Sequence, residues 1–142
     1  MKLILKSIII LLLIVSCQEE SLTTRTHSSS FKSNNEKIDF LNKYIHIKST
    51  YSKLEYDIVY YDNSTGMVAG PSDWDIKLKA TIDKSDIKNW IKGCTKIDNP
   101  KLDWSTINVQ TTDYQWYSNT GLITIGVNTD LNEIIYQHKT NL

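Results

Sequence analysis

The sequence predicts a single small domain of the α+β class, with an antiparallel sheet of about five strands and two short helices packed on one face. Residues 74–82 alternate apolar and polar side chains without a break, which is typical of a strand with one buried face and one wet face. Residues 87–94 carry apolar side chains three or four positions apart, which is helical spacing. Strand-like stretches at 109–117 and 122–127 flank Ser-Asn-Thr-Gly, a hairpin signal.

The first 16 residues have the pattern of a secretion signal. Lys2 and Lys6 stand near the start, and no charge follows from Ser7 to Cys17. A bilayer core needs about 20 apolar residues, and this run is shorter, so a membrane-spanning helix is not expected. We therefore predict a signal peptide at residues 1–16.

The end of the signal, Ile14-Val15-Ser16-Cys17, resembles the lipobox of bacterial lipoproteins. The resemblance implies cleavage between Ser16 and Cys17, because the peptidase requires a small side chain before the cut. It also implies a lipid with palmitate-type acyl chains on the Cys17 thiol, which would anchor the protein to a membrane.

The residues after Cys17, Gln18-Glu19-Glu20, are similar to the acidic surface-export signal of lipoproteins from Bacteroidota. That similarity implies an outer-membrane lipoprotein facing outward. The alternative is that these residues are simply part of a solvated linker.

Removal of residues 1–16 takes away Lys2 and Lys6 and leaves 14 basic and 16 acidic residues. A nucleic-acid-binding protein normally carries a basic excess or stripe, and none is visible, so we expect no nucleic-acid partner. With Cys17 lipidated, Cys94 is the only remaining thiol and an intramolecular disulfide is not possible. Its helical spacing predicts a small buried side chain.

The mature chain is predicted to begin with a flexible tether, residues 17–35, because this stretch is polar and rich in Ser, Thr and Asn. Residues 36–142 are enough for one compact domain. Within it, we expect a helix at 36–47, a strand at 54–61 and a turn at 62–66.

The later elements follow the same logic. Asp83 or Ser85 is placed to cap the short helix that carries Trp90. The last apolar stretch, residues 134–136, could continue as a helix or close the sheet as a strand. β-Branched and aromatic residues dominate there, which favours a strand.

Few residues in the sequence indicate a metal site or a catalytic site. His27, His46 and His138 lack metal-ligand spacing with one another or with Cys or acids, so no metal is expected. The Asp62–Asp73 segment has the length of a calcium loop, but such loops prefer Glu at the last position and need flanking helices. There is no Gly-x-Ser-x-Gly elbow or neighbouring Cys-His pair. We predict no catalytic residue and no cofactor.

The segment Gly70-Pro71-Ser72-Asp73-Trp74 resembles turns in small uncharacterised bacterial lipoproteins, where a Gly-Pro-Ser-Asp turn precedes a strand and a Trp-bearing helix. The resemblance implies no known activity. Two interpretations stay open: Asp73 bonds local backbone and Trp74 fills the core, or both line a binding surface.

Aromatic residues are frequent, with four Trp and eight Tyr. Such side chains are favoured both in cores and at recognition surfaces. We take Tyr61, Trp116 and Tyr117, together with Asp73 and Trp74, as candidates for a binding surface.

The sequence favours a non-enzymatic lipoprotein, held on the membrane through Cys17, whose domain binds another protein or a surface component. One alternative is an immunity-type inhibitor that neutralises a toxin. Another is a small hydrolase whose site is assembled from distant residues, which would require a deep pocket and perturbed pKa values.

Overall fold

The computed structural model describes residues 22–64, 70, 72–98, 100, 102–109 and 113–140. Ser16 and Cys17 lie outside the described residues, so the predictions of cleavage and lipidation stay predictions. The strands are β1 Leu22–His27, β2 Tyr51–Asp62, β3 Ser72–Ile82, β4 Thr95–Ile97, β5 Gln115–Asn119, β6 Ile123–Asn128 and β7 Glu133–Lys139. The helices are α1 Asn34–Leu41 and α2 Ile87–Trp90, with 3₁₀ turns at Ser28–Ser30 and Lys84–Asp86. No helix in these ranges is long and apolar enough to cross a bilayer.

The predicted α+β class with about five strands is wrong. Over the described residues, the chain forms one antiparallel sheet of seven strands in the order β1-β2-β3-β7-β6-β5-β4, accompanied by only two short helices. The helix predicted at 36–47 ends at Leu41, and the helical spacing at 87–94 yields a helix of four residues. The fold is therefore predominantly β.

The N-terminal edge strand accounts for much of this difference. Residues 22–35 are assigned to a flexible tether by composition, yet Leu22–His27 pair with β2 in register, from Leu22 opposite Asp62 to His27 opposite Asp57. The strand is mostly exposed, so it needs no apolar face, and its three threonines are β-branched residues that suit a strand. An exposed edge strand of this kind has the composition of a linker.

The centre of the sheet follows the sequence pattern closely. The strands predicted at 54–61 and 74–82 lie inside β2 and β3, which pair along their whole length. The expectation that residues 134–136 form a strand is confirmed, because they lie in β7 and pair with β3. The alternating pattern was reliable here because each of these strands has a buried face.

Each face of the sheet has its own apolar core. The first face is covered by both helices, and Leu41 of α1 and Trp90 of α2 belong to the same buried cluster as Leu78 of β3. On the second face, the segment 102–109 closes a smaller core. That core consists of Trp104, Ile107, Trp116 and Ile135.

The two ends of the sheet are distinct, and we name each after an exposed leucine. At the Leu22 end, β1 begins, β2 ends at Asp62 and β7 ends beside Trp74. At the Leu131 end, the turn between β6 and β7 lies beside the end of β3, where Ile82 N–H donates to the Asn132 carbonyl. β3 has 11 residues, so the two ends are about 34 Å apart.

Candidate functional site

The second face carries a row of polar side chains that crosses the whole sheet. Residues directly opposite each other on neighbouring strands share a face, and one polar residue comes from each of the seven described strands. We call this the polar row: His27, Asp57, Lys77, Gln137, Thr124, Ser118 and Thr95. Three of its members, Asp57, Lys77 and Gln137, are buried.

The carboxylate of Asp57 is 3% exposed and is paired with Arg25 of the edge strand. Arg25 Nε and Nη2 each donate to one carboxylate oxygen at 2.8 Å, a bidentate geometry that fixes the guanidinium. Burial raises the pKa of Asp57, but the hydrogen bonds from Arg25, together with Thr106 and the charges of Arg25 and His27, outweigh it, so the pKa lies below its ordinary value. The Arg25 side chain stays 55% exposed, so a fixed cation is presented to solvent.

Next along the row, the ammonium of Lys77 lies between two carboxylates. Its Nζ is 3.9 Å from Asp75 Oδ2 and 3.8 Å from Asp103 Oδ2, which is beyond hydrogen-bond length. Gln137 Nε2 donates to the other oxygen of Asp75 at 3.0 Å. Charges of both signs therefore alternate within one small area of this face.

Towards the Leu131 end, Lys79 and Glu133 separate two open depressions of about 240 and 290 Å³. Lys79 Nζ donates to the Asn108 carbonyl at 3.0 Å and lies 3.6 Å from Glu133 Oε1. The Tyr114 hydroxyl donates to the same carboxylate. Burial and, second, the hydrogen bond to Glu133 raise the pKa of Tyr114, so the hydroxyl stays protonated. The polar groups of Lys79, Glu133 and Tyr114 are therefore paired mainly with one another.

A serine and a histidine do meet, but in a capping arrangement. His27 Nδ1 is 2.8 Å from Ser29 Oγ, and the same nitrogen accepts the backbone N–H of Ser29 at 3.2 Å. The neighbouring acid, Asp57, has both oxygens bonded to Arg25. His27 thus caps the 3₁₀ turn at Ser28–Ser30. No cluster of three or more His, Cys, Asp or Glu that could hold a metal occurs among the described residues.

The structure divides the predicted binding-surface residues among several places. Asp73 and Tyr61 lie opposite each other on the second face, at the Leu22 end. The carboxylate of Asp73 accepts hydrogen bonds from Asn63 Nδ2 at 2.8 Å and from Thr140 Oγ1 at 3.2 Å. Both of its oxygens are therefore bonded to other residues of the domain. Tyr61 is 37% exposed.

The other three candidates do not join them. Trp74 lies on the helix-covered face, half-buried, with its ring 5.4 Å from that of Tyr60 and 6.2 Å from that of Tyr44. Trp116 is buried in the core of the second face. Tyr117, the next residue, packs against the core of the first face. The five candidates therefore form no continuous surface.

The composition of the chain does not indicate which residues form the polar row. Arg25 is the only arginine and stands in a stretch that resembles a tether, where the β-branched threonines were the only local indication of a strand. Lys77 falls at a position predicted to face water, yet the residue is 7% exposed because the segment 102–109 covers this side. Nothing local in the sequence indicates that cover.

The chain matches no model of a known protein family, no curated protein and no solved structure.

Proposed function

We propose that this chain is a lipid-anchored protein of the cell envelope whose domain acts as a non-enzymatic binding module for another protein. The anchor is supported by the basic start, the apolar run and the lipobox at Ile14–Cys17. The binding role is supported by the second face of the sheet, on the side where β1, β2 and β3 lie.

One observation carries the binding role: the arginine of the edge strand is held in place by the buried Asp57 while more than half of it stays exposed. Arginine is enriched among the residues that dominate protein interfaces, and fixing it beforehand lowers the entropy lost on binding. A half-exposed, bidentate arginine is therefore suited to a partner's carboxylate or backbone carbonyl.

The surroundings of Arg25 extend this surface. The row next to the polar row runs Arg25, Val59, Asp75 and Lys139 across four strands, and we call these residues the open surface. Its charges alternate in sign, which suits a protein partner with a complementary pattern better than a polymer of one sign. Within the described residues β1 pairs only with β2, so its outer backbone edge is free to accept an added strand.

The anchor is tested by labelling. Cells that express the full chain or Cys17→Ala receive radiolabelled palmitate and are then treated with protease while intact. We expect label only in the chain that keeps Cys17, and digestion of the domain if it faces outward. Label that does not depend on Cys17, or no label, would contradict the anchor.

The binding surface is tested by photo-crosslinking in intact cells. A photoreactive residue replaces Lys139 on the open surface or, as the matched control, Lys88 on α2; both lysines are exposed. We expect one discrete adduct from position 139, none from position 88, and loss of the adduct when Arg25→Gln and Asp57→Asn are added together, which removes the arginine without leaving a buried charge unpaired. Equal adducts from both positions, or an adduct unaffected by this pair of changes, would contradict this surface.

A further inference from the structure

We propose that the Leu22 end of the sheet rests against the lipid bilayer, so that the strands stand upright and the Leu131 end points away from the membrane. This inference rests on the proposed function, because it requires the lipid on Cys17. It is carried by the length of chain before β1 and by the side chains that this end exposes.

The chain between the anchor and the fold is short. Leu22 is the first residue of β1 and stands only five positions after Cys17. Five residues span at most about 18 Å, whatever their conformation. A tether reaching to residue 35 would span up to about 65 Å. The sheet is about 34 Å long, which exceeds the reach of these five residues. The Leu22 end therefore cannot lie as far from the bilayer as one length of the domain.

The side chains at this end fit a bilayer surface. Among the described residues the large apolar side chains classed as exposed are Leu22 at 67%, Leu131 at 61% and Tyr61 at 37%. Leu22 and Tyr61 lie on adjacent strands at the Leu22 end. Leu22 shares the helix-covered face with the half-buried Trp74 and Tyr60, whereas Tyr61 lies on the second face. Tyr and Trp are favoured at the level of lipid headgroups, and the burial of an exposed leucine side chain in the bilayer is favourable in free energy.

Charge gives no comparable attraction at this end. Asp62 and Asp73 contribute two negative charges there, and the nearest basic residues of the described strands, Arg25 and Lys139, lie one row further in beside Asp75. Anionic lipids bind clusters of several basic residues, and this end has none within the described residues. The contact is therefore apolar in origin, and it should be as strong on neutral vesicles as on anionic ones.

The orientation has a consequence for the binding module. With the strands upright, the open surface faces sideways, and the depressions beside Lys79 and Glu133 lie in the half of the domain farther from the membrane. A partner arriving from outside would then reach the second face without displacing lipid.

Quenching by lipid tests the orientation. The full chain with Cys94→Ser is purified in lipidated form, its mass is checked for the lipid, and a fluorophore is attached to Thr23→Cys or to Thr129→Cys. Both threonines are exposed, one near each end of the sheet. In phosphatidylcholine vesicles containing a nitroxide-headgroup lipid, we expect quenching at position 23 to be several-fold stronger than at position 129. Added phosphatidylglycerol should not change the ratio.

Two further variants examine the cause. Leu22→Ser should weaken quenching at position 23, whereas the matched change Leu131→Ser should leave it unaltered. Equal quenching at the two positions in protein whose mass includes the lipid would overturn the orientation alone. Protein that carries no lipid on Cys17 would overturn the orientation and the proposed anchor together.

Discussion

The guanidinium of Arg25 and the carboxylate of Asp57 form two parallel hydrogen bonds of 2.8 Å between the first two strands. Asp57 is buried and is part of the centre of the fold, whereas Arg25 lies on the exposed edge. A buried carboxylate is strongly unfavourable without a partner. This pair therefore makes β1 an integral strand of the domain.

Arg25→Ala should destabilise the whole domain, because it leaves the charge of Asp57 buried and unpaired. We expect the urea midpoint to fall clearly, and to fall less with Arg25→Lys, which keeps the charge but loses the bidentate geometry. Thr23→Ala, in the same exposed strand, is the control and should have little effect. If β1 were a detachable tether, Arg25→Ala and Thr23→Ala would give the same midpoint.

The same pair predicts how stability depends on pH. The pKa of Asp57 lies below its ordinary value of 3.8, so its stabilising effect is complete above pH 3.8 and is lost as pH falls through the folded-state pKa. We expect the difference in urea midpoint between the wild type and Asp57→Asn to be constant from pH 5 to 7 and to shrink below pH 4. A difference that persists unchanged to pH 2 would contradict the lowered pKa.

Gly126 predicts a steric effect in the second core. A Cβ at this position would lie 2.6 Å from Cγ1 of Ile135 and 3.0 Å from the ring of Trp116. Gly126→Ala should therefore cost about 1–3 kcal/mol of unfolding free energy, as other overpacked cores do. Adding Ile135→Val, which removes one methyl from the contact, should restore part of that loss. Urea unfolding of the wild type and of these two variants measures both changes.

The sequence was most informative where one face of a strand is buried. The alternation at 74–82 comes from a strand flanked by neighbours on both sides, and it predicted β3 almost to its ends. The edge strand β1 and the three-residue β4 carry no such signal, because exposed strands are free to be polar. The sheet was therefore predicted too small, and helix content too large.

The candidate site was harder to predict for a different reason. The polar row depends on register between strands that are distant in sequence, such as His27 with Asp57 and Lys77 with Gln137. No local pattern encodes that register. Residue type alone favours the aromatic candidates, and the structure places Trp116 in a core because segment 102–109 folds over it.

Asp73 offers a direct choice between the two interpretations of its segment. Its carboxylate accepts from Asn63 Nδ2 and Thr140 Oγ1, and the same Thr140 oxygen accepts the Trp74 N–H at 2.7 Å. These bonds tie the end of β7 to the start of β3. Asp73→Ala should therefore cost about 1–2 kcal/mol of unfolding free energy.

Thr140→Val should cost a similar amount, and the double variant less than the sum, because both changes break one network. Asp39→Ala, on the exposed side of α1, is the control and should stay within about 0.5 kcal/mol of the wild type. Urea unfolding of the four variants decides between the interpretations. If Asp73→Ala behaved like Asp39→Ala in unfolding but abolished the photo-crosslink from position 139, then Asp73 would act in recognition, and its hydrogen bonds would contribute little to the stability of this end of the sheet.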